Sequence, residues 1–175
     1  MKVKLRKYGI EVNMKNIPHK LMKFVEKRGD KFYIHRLAAL YLVDKEIDFN
    51  GLQLYRHLDI NTLIKKFAKY DPHIFSKYLI YRDLMDRGYV ATEGYGRGID
   101  LLVYDRGDFP DKPPSIRIIG IEEGDKISIN QLLNEVYLGS LNKKKIIIAV
   151  IERRGEIVYY KLNEFKVSNL SDDTL

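Results

Sequence analysis

The sequence contains no cysteine. That excludes disulfide scaffolds and thiolate metal sites, and it fits a cytoplasmic protein. No run of 18 apolar residues occurs, so no membrane span is expected. The basic start Met1-Lys-Val-Lys-Leu-Arg-Lys-Tyr8 is not followed by an apolar signal core. Histidine is scarce and one-sided. His19, His35, His57 and His73 all precede residue 74 at wide spacings, a poor basis for a metal centre. The patterns His-Glu-x-x-His, Gly-x-x-x-x-Gly-Lys and Gly-x-Ser-x-Gly are all absent. Neither a metal nor a cofactor is expected.

What the chain does have is positive charge. Its 175 residues carry 31 Lys and Arg against 24 Asp and Glu, a net charge of +7. Such a surface attracts phosphates through counterion release. It is equally the solvated surface of a thermophile-like protein, since 31% of residues are charged and glutamine is rare. The length allows a real core in one domain or in two small ones.

Short alternating stretches in Lys2–Val12 and at Phe32-Tyr-Ile34 predict strands. Arg36–Val43 reads as a short helix with Leu37, Leu40 and Tyr41 on one face. Asp59 or Asn61 can cap a second helix whose apolar face holds Leu63, Ile64, Phe67 and Ala68. Asp71-Pro72 marks a boundary, Asp as cap and Pro at the first helical position. The helix it opens would turn Ile74, Phe75, Tyr78, Leu79 and Leu84 inward and stop at Gly88. Strands are expected at Tyr89–Thr92, Ile99–Tyr104 and Ile116–Ile121, with a proline-rich loop at Asp105–Ser115. Ser128 and Gln131 form a capping-box pattern ahead of a helix with Ile129, Leu132, Leu133, Val136 and Tyr137 at helical spacing. Ile146–Ile151 is uniformly apolar, as in a strand covered on both faces, and Ile157–Leu162 is a last strand. The expectation is a mixed α+β chain: a small N-terminal α+β domain at 1–71, a C-terminal α/β domain at 72–170 and a tail at 171–175.

Three features carry candidate chemistry. Gly94, Gly96 and Gly98 are followed by a strand rather than a helix, so a tight hairpin fits better than a phosphate loop. Lys143, Lys144 and Lys145 stand at the mouth of an apolar strand, where they could hold a phosphate or simply solubilise a connection. Tyr104 closes another apolar strand and reads equally as an ordinary strand-end aromatic.

The block Asp71-Pro-His-Ile-Phe-Ser-Lys-Tyr-Leu-Ile-Tyr-Arg-Asp-Leu-Met-Asp-Arg-Gly-Tyr-Val90 resembles a signature of the archaeal tRNA-splicing (tRNA-intron) endonucleases. Arg36-Leu-Ala-Ala-Leu-Tyr-Leu-Val43, Gly98-Ile-Asp-Leu-Leu-Val-Tyr104, Lys144-Lys-Ile-Ile-Ile-Ala-Val150 and Glu156-Ile-Val-Tyr-Tyr-Lys-Leu162 are similar to further blocks of that family in the same order, over roughly residues 32–165. The resemblance implies a restriction-endonuclease-like C-terminal fold and metal-independent RNA cleavage at bulge–helix–bulge junctions of precursor tRNA. In that chemistry a tyrosine takes the 2′-hydroxyl proton, a histidine protonates the leaving 5′-oxygen and a lysine stabilises the charge at phosphorus. The products are a 2′,3′-cyclic phosphate and a 5′-hydroxyl. Tyr104 matches the tyrosine and Lys144 the lysine. The histidine position falls in Lys112-Pro-Pro-Ser115, which holds no imidazole. Lys143 stands where the family often has a basic residue that grips the bulge.

With the acid missing, the chain looks like a structural subunit of the family's heterotetrameric members, which the resemblance implies would work with a catalytic subunit on precursor tRNA. The resemblance also implies that an acidic loop docks into a basic cleft on another subunit. Glu122-Glu-Gly-Asp125, with Glu122, Glu123 and Asp125, lies at that place, although it reads equally as a plain polar turn. Tyr159 and Tyr160 on the terminal strand would pair across a dimer edge, which also allows a homodimer in isolation. Two alternatives stay open: an endonuclease active by itself, and an RNA-binding or assembly module.

Overall fold

The computed structural model describes residues 4–13, 18–96 and 98–162. The expected tail at 171–175, and the last residues assigned to the second domain, lie outside them. Near the N-terminus β1 (Lys4–Arg6), β2 (Gly9–Val12), β3 (Val25–Arg28) and β4 (Lys31–His35) form an antiparallel sheet in the order β1-β2-β4-β3. The sequence pattern gave no sign of β3, whose Val-Glu-Lys-Arg composition alternates only weakly. A 3-10 segment at His19–Phe24 inserts Leu21 and Phe24 into the core.

Helix α1 (Arg36–Asp44) is buried on all sides, every residue from Leu37 to Val43 included. The one-faced helix expected there is therefore corrected: an all-apolar helix belongs at the centre of a core, not on its surface. Helix α2 (Ile60–Ala68) is capped by Asp59, which accepts from the Thr62 N–H at 2.9 Å. Leu63 and Phe67 are buried while Ala68 is exposed, so the apolar face is narrower than expected.

Helix α3 (Ile74–Asp86) begins two residues later than the Asp71-Pro72 signal implied, with His73 at the cap position. Asp71 does accept the His73 N–H at 3.0 Å, but its other oxygen is drawn to Lys77 Nζ at 2.7 Å. Phe75 is 50% exposed rather than inward. At the other end, the Gly88 N–H donates to the Met85 carbonyl and the Tyr89 N–H to the Leu84 carbonyl, with Gly88 at φ +82°. That is the Schellman closure that only a left-handed residue permits.

The second sheet runs β5-β6-β7-β8-β9: β5 (Val90–Glu93), β6 (Ile99–Tyr104), β7 (Ile116–Glu122), β8 (Lys145–Ile151) and β9 (Ile157–Leu162). β7 and β8 are parallel, joined by a crossover through α4 (Ile129–Leu141), and the other pairs are antiparallel. The capping box is present, with both Ser128 and Gln131 hydrogen bonds formed. Helix α3 packs on one face of this sheet and α4 lies on the other. One set of buried side chains runs from Ile10 in the first sheet through α1 and α3 to Ile151 in the second. Among the described residues no helix is long and apolar enough to cross a membrane.

Candidate nucleic-acid interface

Alternation along β6 sends Ile99, Leu101 and Val103 toward α3, and Asp100, Leu102 and Tyr104 toward the α4 side. On that side lies a groove of about 590 Å³, lined by those three residues, Arg117 of β7, Leu138, Gly139 and Asn142 at the end of α4, Pro114 and Lys144. Gly139 lets α4 approach the sheet, since a Cβ there would overlap Ile146. The strand order thus brings Tyr104 and Lys144, 40 positions apart in sequence, into one groove.

Tyr104 is partly buried and meets Phe109 edge-on, with ring centroids 5.0 Å apart. Burial, and secondarily Tyr95, hold its phenol above the ordinary 10.0, so it is protonated at neutral pH. The Lys144 ammonium donates to the Pro114 carbonyl at 2.7 Å. Pro114 belongs to the stretch where the acid was expected. There Ser115 Oγ donates to Asp105 Oδ2 at 2.6 Å, and no imidazole is among the groove's lining residues. The nearest histidine in an adjoining cleft is His35. Its Nδ1 accepts the Ala38 N–H at 3.2 Å and its Nε2 faces the Lys23 carbonyl at 3.3 Å. Both nitrogens are engaged, and burial lowers its pKa from 6.5. His35 is a helix cap, not a proton donor to the groove.

The three lysines separate. Lys144 reaches the groove, Lys145 points toward Asp105 at 3.9 Å, and Lys143 is exposed with φ +54°. β8 begins only at Lys145, and the positive φ of Lys143 turns the chain just before it, so the three do not converge.

The acidic loop follows β7 at the far end of the sheet. Glu122 accepts from Ser76 Oγ, Asp125 accepts the Glu122 N–H at 3.0 Å, and Glu123 accepts the Arg153 N–H at 3.0 Å. On β9, Tyr159 faces inward and donates to Asp83 Oδ2 of α3 at 2.7 Å. Burial, reinforced by that carboxylate, raises its pKa. Tyr160 faces the other way and is 54% exposed.

The floor of the groove holds a charge cluster that the sequence reading did not single out. Asp100 is only 2% exposed. It takes the Arg117 Nε–H at 2.9 Å and the Gly96 N–H, while Arg117 also donates to Glu135 of α4. A signal was available: Asp100 is the lone charge of β6 and Arg117 the one cation of β7, and buried charges need partners. Among the described residues no group of three His, Asp or Glu side chains is arranged to hold a metal.

A family model described as tRNA intron endonuclease, catalytic C-terminal domain, matches residues 74–159. Similar proteins include the tRNA-splicing endonuclease of Pyrococcus abyssi, 27% identical over 141 residues covering 81% of each chain. That of Thermococcus gammatolerans is 29% identical over 75% of this chain and 77% of its own. That of Methanothermobacter thermautotrophicus is 33% identical over 50% of this chain and 52% of its own. The matched span runs from α3 into β9, the same elements that bring Tyr104 and Lys144 together, and the matches support the tRNA-intron endonuclease family for this chain.

Proposed function

We propose that this chain is the structural subunit of a tRNA-splicing endonuclease, assembling with a catalytic subunit into a heterotetramer that removes introns from precursor tRNA at bulge–helix–bulge junctions. The observation that carries this reading is the missing imidazole. The stretch to which the resemblance assigns the histidine reads Lys112-Pro-Pro-Ser115, and Lys144 donates to its Pro114 carbonyl at 2.7 Å. Losing a general acid costs about 10²–10⁴ in rate, and the serine hydroxyl is too weak an acid to substitute. Lys143, Lys144 and Lys145 would then serve RNA contact rather than cleavage.

The surface supports an assembly role. Ile129, Leu133, Tyr137 and Leu141 repeat every four residues along α4 and all face solvent. The one charged residue of that helix, Glu135, is tied to Arg117. Tyr160 stands opposite Ile148 on β8, two residues from the Ile146 that packs on Gly139, so it shares the α4 face. The outer edge of β9 is unpaired among the described residues. An uncharged apolar band on a chain of net charge +7 is suited to burial against another subunit. Glu122, Glu123 and Asp125 offer the complementary polar contact, steering the catalytic partner toward its own basic cleft.

The shared groove of Tyr104 and Lys144 favours a second reading, an endonuclease active by itself with its proton drawn from elsewhere. Incubation with precursor tRNA and EDTA separates the two. The structural subunit leaves the RNA intact alone and supports cleavage with its catalytic partner, and Tyr104→Phe, which keeps the ring, does not change that. Cleavage by the isolated chain sinks the subunit reading. In gel filtration, Leu133→Glu with Tyr137→Glu, or Glu122, Glu123 and Asp125 all changed to Ala, is expected to weaken the heteromer; an undiminished complex removes the corresponding surface from it.

A further inference from the structure

Tyr95 is 98% exposed, so its ring contributes nothing to the core. The glycines on either side of it are nonetheless pinned by hydrogen bonds. The Gly94 N–H donates to the Asp100 carbonyl at 2.9 Å and the Gly96 N–H to the Asp100 carboxylate, which Arg117 clamps from below. A Cβ on either glycine would overlap that carboxylate. Glycines on both sides of Tyr95 therefore let the backbone wrap a buried anion and lift the tyrosine clear.

Two grooves meet at this tip. One is the groove of Tyr104 and Lys144. The other lies between the hairpin and the N-terminal sheet, with Tyr8, Lys27, Arg28 and Phe109 in its lining. Thr92, Tyr95 and Tyr104 line both, so one groove runs into the other across the hairpin. Cations stand at each end: Lys144 on one side, Lys27 and Arg28 on the other, where the Arg28 guanidinium lies 4.3 Å over the Tyr8 ring and also pairs with Glu26. Aromatic rings lie between them.

We infer that this track binds single-stranded RNA, with one unpaired base stacked on Tyr95 and the flanking phosphates directed toward Lys144 and toward Lys27 and Arg28. Rings between cations suit a single strand, whose bases have free faces and whose phosphates follow a groove. A continuous duplex offers Tyr95 no such face, because its bases already stack on one another. Hydrogen bonds from Gly94 and Gly96 to Asp100 hold the backbone on both sides of Tyr95, which lowers the ordering entropy that opposes stacking. The assignment of RNA as the ligand rests on the subunit reading above; the stacking geometry does not.

The full chain is titrated into a fluorescein-labelled short oligoadenylate and into a fully paired RNA hairpin with a tight loop. Saturable anisotropy binding of the single strand is expected, weakened on the order of 5- to 150-fold by Tyr95→Ala and within about twofold of the original in Tyr95→Phe. Affinity for the paired hairpin is expected to be indifferent to both changes. The chain has no tryptophan, so Tyr95→Trp adds a single emission reporter that the single strand should quench. Unchanged melting temperatures verify that these variants fold. Absence of saturable binding, an unaffected Tyr95→Ala, or unquenched emission overturns the inference. If the heteromer assembles but oligonucleotide binding ignores Tyr95, only this inference falls. If Tyr95-dependent binding occurs in a chain that joins no catalytic partner, only the subunit reading falls.

Discussion

At the end of β4 a histidine does the work that serine or aspartate usually performs at the start of a helix. His35 Nδ1 accepts the Ala38 N–H while its other nitrogen faces the Lys23 carbonyl, which requires the neutral ring with its proton on Nε2. Burial lowers the folded pKa below 6.5. As pH falls through 6.5 the unfolded chain takes up the proton first, so this contribution is present above 6.5 and lost on acidification. Denaturant midpoints are expected to drop between about pH 7 and about pH 5, and to drop less in His35→Asn, which keeps a cap acceptor without titrating. Equal slopes would show that His35 is not the group responsible. Against the His35 ring stands Tyr81, edge-on at a centroid distance of 5.6 Å. Its buried hydroxyl has no hydrogen-bond partner among the described residues. Tyr81→Phe removes that unsatisfied group while keeping the ring, and is expected to stabilise by about 1 kcal/mol in urea unfolding. A loss of stability instead would mean the hydroxyl is satisfied in solution.

Among elements, those fixed by local chemistry were legible in the sequence. The Ser128–Gln131 capping box, the Asp59 cap and the Gly88 stop follow from contacts within a few residues, and Gly98 and Asp105 flank β6 at the bounds expected for it. β3 was not legible, because pairing with β4 creates it and its own residues barely alternate. The β5–β6 hairpin is intermediate. Its glycines announced a turn, but only the fold shows that they make room for the Asp100 carboxylate. Gly96→Ala is therefore expected to destabilise by about 1–3 kcal/mol, the usual cost of forcing atoms into filled space. Paired with Asp100→Ala, which opens that space, the cost of Gly96→Ala should shrink, as a double-mutant cycle would read. Strict additivity would rule out the clash. Helix α4 makes the opposite point: its apolar spacing was evident, but Leu132 and Val136 are half-buried while Ile129, Leu133 and Tyr137 face outward, and periodicity cannot say which surface an apolar face will meet.

Across the whole molecule, the two sheets are tied by charge as well as by packing. Arg36 at the start of α1 bonds to Glu93 at the end of β5 and lies 3.5 Å from Asp71, whose carboxylate also holds the nearly buried Lys77 at 2.7 Å. Removing one member strands the others in a low-dielectric site. Lys77→Ala is expected to cost about 3–5 kcal/mol, far beyond an exposed ion pair. A change below about 1 kcal/mol would show that water or Arg36 compensates. The Asp71–Lys77 pair is local to the start of α3, but the sequence spacing does not announce the rest of the network, because Arg36 meets Asp71 and Glu93 only when α1, α3 and β5 come together.

The sequence by itself determined the element types through most of the chain, the family through its ordered blocks, and the absence of an imidazole between Tyr104 and Lys144, since residue identity and short-range periodicity are local properties. Only the tertiary structure decided that Tyr104 and Lys144 line one groove, that Lys144 lies against the Pro114 carbonyl, that Lys143 and Lys145 turn elsewhere, and that Tyr95 stands exposed where two grooves join. Those facts depend on strand order and on which face of the sheet each residue meets, and both are set by contacts between residues far apart along the chain.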